Sequence, residues 1–167
     1  MKITIKKIIC AMLACVALTL SACAKTEYKQ DVNTVKIALQ LSQKVPTESG
    51  WVSENENFLK EYIEIPESVH ELQIYYAQNT NSLDEFGIFE VARDRTKEVR
   101  KLIEKEYLQK RYEENREWYD SYMPTETPKL RDAEVRVYGN CVVYAILSPE
   151  GRTAFFAECE RLLKEQK

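Results

Sequence analysis

Two alternating runs joined by a Gly-Asn pair constrain the fold of this chain more than any other segment. Ala133–Tyr138 and Cys141–Leu147 flank Gly139-Asn140, and a two-residue connection with glycine first is typical of a β-hairpin with a type II′ turn. In that register Val135 lies opposite Tyr144. The second run is apolar on both faces, which indicates a central strand of a sheet.

The patterns elsewhere predict three helices and a second pair of strands. The expected elements are a helix from Asn33 to about Lys44, strands Val69–Ala77 and Phe86–Ala92, a helix over 94–120 and a final helix after Gly151. The order is α-ββ-α-ββ-α. It predicts an α+β domain with a mostly antiparallel four-stranded sheet and packed helices.

The helix over 94–120 carries two apolar stripes that are offset from each other. The second stripe includes Tyr112, Trp118, Tyr119 and Tyr122. Such an offset predicts a bend or a change of packing partner midway along the helix. Its basic residues, Arg111 among them, lie in a sequence dense in Glu and are expected on a solvated face.

The N-terminal segment is predicted to be the export signal of a lipoprotein. Three lysines precede the apolar run Ile8–Leu20, which is shorter than the ~20 residues that cross a bilayer. Leu20–Cys23 resembles the lipobox of bacterial lipoproteins, which implies cleavage before Cys23 and a diacylglyceryl thioether on its sulfur. We expect a signal peptide over 1–22, a lipidated cysteine and tether over 23–31, and a single domain over 32–167. The alternative is a buried N-terminal helix.

The charge balance bears on the partners of the exported domain. Loss of the signal lysines changes the formal net charge from −3 to −6, and an acidic domain is a poor ligand for nucleic acid. Attachment to the membrane is therefore expected through the lipid on Cys23 rather than through surface charge. The expected location is the extracytoplasmic face of the cell membrane.

Three short motifs resemble an uncharacterised lipoprotein family of anaerobic Gram-positive bacteria, known as a domain of unknown function. They are Asp84–Phe89, Tyr122–Pro124 and Ala133–Gly139, and the resemblance extends from about Tyr75 to Leu163. It implies the location and fold already described. It implies no activity, ligand or catalytic residue.

A few polar residues can be weighed as candidate sites. Asp84 and Glu85 are adjacent in a strand and so point to opposite faces, which favours turn chemistry over a shared carboxylate site. His70, the one histidine, is expected to be partly buried, and a zinc site with Cys141 and Cys159 lacks the usual ligand spacing. We expect the two cysteines to be free, buried thiols rather than a disulfide.

No catalytic residue, metal ligand or cofactor is assigned from the sequence, and three functions remain open. The first is a membrane-anchored binding or interaction module. The second is a small cell-envelope enzyme that uses carboxylates such as Glu85. The third is an accessory subunit of a membrane complex, which a short tether would suit.

Overall fold

The computed structural model describes residues 27–45, 47–54 and 59–164. The predicted signal peptide, Cys23 and the first tether residues lie outside this part of the chain. The elements are α1 Thr34–Lys44, β1 Trp51–Glu54, β2 Val69–Ala77, β3 Glu85–Val91, a 3₁₀ turn Arg93–Arg95, α2 Thr96–Leu102, a π-helical segment Ile103–Gln109, α3 Lys110–Tyr122, α4 Thr127–Arg131, β4 Glu134–Tyr138, β5 Cys141–Ile146 and α5 Pro149–Leu163.

The sheet has five antiparallel strands in the order β1-β2-β3-β5-β4. The α+β class is confirmed, but the prediction of four strands was wrong. Strand β1 is short and lies in the polar stretch between α1 and β2, where the sequence patterns predicted no strand. It begins after Gly50, whose φ of 83° turns the chain, and it pairs with β2. The short helix α4 was also missed, so the predicted element order is incomplete.

The hairpin of β4 and β5 forms in the predicted register. Val135 pairs with Tyr144 and Val137 with Val142. Gly139 has a φ of 63°, and positive φ among the described residues is confined to Gly139 and Gly50. Because a type I′ turn would also need positive φ at the second turn position, this pattern fits the predicted type II′ turn.

Helices cover both faces of the sheet. One face packs against α1 and α5 and includes Phe86, Ile88 and Val143. The other face packs against α2, the π-helical segment and α4, and it includes Phe89, Val142 and Tyr144. Strand β5 is buried at every position, as its apolar residues on both sides predicted.

Helices α2 and α3 form one continuous run with the π-helical segment, which is called the long helix below. The π-helical segment lies midway along the long helix, where the sequence predicted a bend or a change of packing partner. Its turns are wider than those of an α-helix, so the residues after it point in different directions. Beyond it, Tyr119 is buried, but Trp118 and Tyr122 are 52% and 73% exposed. The prediction that both belong to a buried stripe was therefore wrong, because α3 presents them away from the core.

Two further expectations concern His70 and the cysteines. A β-bulge between Val69 and Glu71 breaks the alternation of β2, and His70 is exposed in it rather than partly buried. Cys141 and Cys159 are free and buried, as expected. Burial raises the pKa of the Cys141 thiol to about 12 and raises that of Cys159 as well, so neither is an activated thiolate.

We predict that Gly139→Ala lowers the free energy of unfolding by about 1–3 kcal/mol, because it forces positive φ on an L-residue. The added Cβ would also lie 2.9 Å from the Cβ of Tyr28. Gly50→Ala is the matched control, since its φ is also positive but its Cβ meets no atom within 4 Å. Chemical denaturation of both variants checks this. A loss at Gly139 no larger than the loss at Gly50 would contradict the contact with Tyr28.

Candidate functional site

The carboxylate of Glu85 lies inside the domain. Glu85 is the first residue of β3, faces the long helix and is 2% exposed. Its Oε1 accepts hydrogen bonds from the hydroxyls of Tyr107, at 2.5 Å, and Tyr144, at 2.6 Å. Its Oε2 accepts one from Nη1 of Arg111 at 2.9 Å. These four residues are called the Glu85 cluster.

The hydroxyl of Tyr144 reaches Glu85 because Gly87, which lies between them on β3, has no side chain. Gly87 pairs with Tyr144 across β3 and β5. A Cβ on Gly87 would lie 2.2 Å from Cε1 of Tyr144, far inside van der Waals contact. Glycine therefore leaves the space in which the ring lies over β3, and its hydroxyl reaches the carboxylate on the same face.

The long helix brings the other two members. Tyr107 belongs to the π-helical segment and Arg111 follows it by four residues, so both side chains point to one side. Nη1 of Arg111 also donates to the Tyr107 hydroxyl at 2.8 Å. A π-helical segment often occurs at a site with a special side-chain requirement, and here it lies at the helix position that meets Glu85.

Burial and charge act together on this cluster. Burial, reinforced by the negative Glu85, raises the pKa of Tyr107 and of Tyr144 well above the ordinary value, so both are hydrogen-bond donors at neutral pH. Burial opposes the charge of Arg111, but attraction to Glu85 outweighs it and raises the pKa of the guanidinium. A buried ion pair with these added hydrogen bonds offsets the cost of leaving water.

Aromatic rings surround the guanidinium of Arg111. Its Cζ lies 5.7 Å from the ring centre of Tyr62 and 5.5 Å from that of Tyr107, within the range of cation–π attraction. The two rings meet edge to face at 5.4 Å. Because Tyr62 is 43% exposed, it connects the Glu85 cluster to the surface.

That surface is a groove beside the long helix, with a volume of about 550 Å³. One wall is the segment Tyr62–Glu67, and the other is formed by residues of the long helix that follow one another at four-residue spacing: Glu98, Leu102 and Glu106. Ile63 is buried, and Ile65, Pro66 and Leu102 are partly exposed. The groove therefore combines these four apolar residues, called its apolar floor below, with the carboxylates along its two sides.

A second ionic group lies at the same end of the sheet. Nζ of Lys129 contacts Oδ1 of Asp84 at 2.7 Å and Oε2 of Glu126 at 2.8 Å. Glu126 also accepts from the backbone N–H of Leu83 at 2.9 Å. These contacts lower the pKa of Glu126 and raise that of Lys129 against the opposing effect of burial. They fix α4 to the β2–β3 turn.

The structure places the polar residues considered in the sequence analysis at different sites. Asp84 pairs with Lys129 and Glu85 pairs with Arg111, so the two carboxylates do not share a site, as expected. Arg111 was predicted on a solvated face, and this was wrong, because its side chain is 10% exposed and paired with Glu85. A sequence signal existed for the burial of Glu85 but not for its partner: Glu85 lies in phase with Gly87 and Phe89 on one side of the buried strand β3, and a buried carboxylate needs a cation.

Residues 27–45, 47–54 and 59–164 contain no group of three or more His, Cys, Asp or Glu residues placed to hold a metal ion. Cys141 and Cys159 lie on the α1/α5 face, whereas His70 is exposed in the bulge of β2.

Residues 46–147 match the family described as the domain of unknown function DUF4358, and the chain belongs to this family. The match contains all five strands, the long helix and the Glu85 cluster, whereas α1 and α5 fall outside it. It begins earlier along the chain than the resemblance seen in the sequence. No curated protein and no solved structure matches the chain.

We predict that Arg111→Met lowers the free energy of unfolding by about 3–5 kcal/mol, because it leaves the Glu85 charge buried without its cation. In a Glu85→Gln background the same change should cost much less, since no charge remains to be neutralised. Urea denaturation of the two single variants and the double variant measures this coupling.

Arg116→Met is the matched control on the same helix. Arg116 pairs with Asp120 at 3.6 Å, but both side chains are at least half exposed, so little change is expected. If Arg111→Met costs no more than Arg116→Met, or costs the same with and without Glu85→Gln, the buried pair does not contribute as described.

Proposed function

We propose that this protein is a lipid-anchored, extracytoplasmic lipoprotein whose domain acts as a binding module at the membrane surface. The observation that carries the proposal is the lipobox-like sequence Leu20–Cys23, which stands only a few residues before the folded domain. The same proposal includes membership in a family of lipoproteins, which the sequence motifs suggest.

The distance between Cys23 and the fold supports a domain held close to the lipid. Tyr28 forms a β-bridge with Lys164, and the N–H of Lys29 donates to the carbonyl of Leu163 at 2.9 Å. Residues 28 and 29, which we had assigned to the tether, thus contact the domain. Cys23 precedes Tyr28 by five positions, which span at most roughly 18 Å when extended.

The same contacts favour one orientation of the domain. Tyr28 lies beside Gly139, and Asn140 donates to the carbonyl of Gln30 at 3.2 Å, so the tether meets the hairpin-turn end of the sheet. Glu85 pairs with Ile146 at the other end of β3 and β5. The Glu85 cluster and the tip of α3 would therefore face away from the membrane, toward partners in the envelope.

The contacts of Glu85 favour a binding role over an enzymatic one. Both of its oxygens accept hydrogen bonds from within the cluster, an arrangement suited to holding β3, β5 and the long helix together. The groove beside Tyr62 and the exposed aromatic rings of Trp118 and Tyr122 are the surfaces offered to a partner. The described helices include none that is long and apolar enough to cross a bilayer.

We predict that Cys23→Ser abolishes incorporation of labelled palmitate into the full chain expressed in a bacterium, because the thiol is the lipid acceptor. Cleavage before position 23 should be lost as well. Cys15→Ser is the matched control and should be labelled like the unmodified chain. Equal labelling of the Cys23→Ser protein, measured by gel fluorography, would contradict the lipid anchor.

A further inference from the structure

We propose that the groove between Tyr62–Glu67 and the long helix binds a short, extended peptide segment in which basic and apolar side chains alternate. This proposal specifies the partner of the binding module and rests on that role. It is independent of the lipid anchor. Its support comes from the length of the groove, its apolar floor and the sign of its charge.

The length of the groove fits about four residues of extended chain. Glu98, Leu102 and Glu106 lie along its helical wall, and eight residues of helix span ~12 Å. An extended peptide rises ~3.3 Å per residue, so four residues match this wall. Alternate side chains of such a segment would point into the groove and away from it.

The floor of the groove suits apolar side chains. Ile65, Pro66 and Leu102 are partly exposed in a concave surface above buried Ile63. Covering them removes apolar area from water, at ~25 cal/mol per Å². Because this apolar area consists of three partly exposed side chains, it accepts one or two aliphatic side chains.

Carboxylates set the sign of the charge that the groove prefers. Its lining residues include four acidic side chains and no lysine or arginine: Glu64, Glu67, Glu98 and Glu106. Glu98 also pairs with Arg95 at 3.0 Å, but both side chains are more than half exposed, so this pair is weak and exchangeable. Carboxylates around a low-dielectric floor concentrate the field and attract a cation. An alternation of basic and apolar residues matches both features.

Tyr62 links occupancy of the groove to the Glu85 cluster. Its ring lines the groove and lies near the guanidinium of Arg111 and the ring of Tyr107. A peptide that packs on Tyr62 would hold this ring against the buried ion pair. Binding of a peptide in the groove would therefore affect the Glu85 cluster, which joins the sheet to the long helix.

The test is a binding titration of the full chain, extracted from whole cells in detergent so that recovery does not depend on membrane attachment. The probe is a fluorescein-labelled tetrapeptide of alternating lysine and leucine, followed by fluorescence anisotropy at low ionic strength. The variant Glu98→Gln/Glu106→Gln should bind at least tenfold more weakly, because two of the four carboxylates are removed. The control Glu114→Gln/Glu117→Gln makes the same charge change on α3, outside the groove, and should bind within twofold of the unmodified chain.

Two further arms separate the sources of binding. A tetrapeptide with glutamine in place of lysine should bind at least tenfold more weakly, and spermidine should compete poorly because it lacks the apolar side chains. Equal loss in both double variants, equal binding of the glutamine peptide, or full displacement by equimolar spermidine would each overturn the proposal. None of these results depends on Cys23, so failure of the groove and failure of the anchor are distinguishable.

Discussion

The negative charge of Glu85 is buried at the start of β3, and Arg111 neutralises it from the long helix at 2.9 Å. Two tyrosine hydroxyls complete the contacts of the carboxylate. These bonds join strands β3 and β5 to the helix that covers them. A carboxylate at this depth is stable only with these partners, so the long helix must present Tyr107 and Arg111 at the level of Glu85.

The π-helical segment of the long helix lies at the same contact. A π-helical segment turns Tyr107 and then Arg111 inward at the level of Glu85, and the residues beyond it take new faces. Trp118 and Tyr122 are exposed on α3. The exposed rings of α3 that we propose for binding thus lie directly after the helix turns that present Tyr107 and Arg111 to Glu85.

Sequence reasoning recovered the parts of the fold that local patterns specify. Gly139 and the alternating runs around it predicted the hairpin, its register and the buried β5, because turn chemistry and period-two apolarity act over neighbouring residues. Strand β1 was missed because pairing with β2 defines it, and His70 was misplaced because a bulge reverses alternation. The partnership of Glu85 and Arg111 joins residues 26 positions apart, and a single sequence gives it no local pattern.

The most direct test of the central role of this cluster is alkaline titration of tyrosinate absorbance. The pKa of Tyr107 and of Tyr144 is raised in the folded protein, so both side chains should stay neutral there. In the unfolded chain the same two tyrosines ionise as the pH rises above ~10. The free energy of unfolding should therefore fall as the pH rises above this value. At about pH 11 the folded protein and a folded Tyr107→Phe/Tyr144→Phe variant should then give the same absorbance, and differ by two tyrosinates only after unfolding. A loss of two tyrosinates in the folded variant would contradict the account.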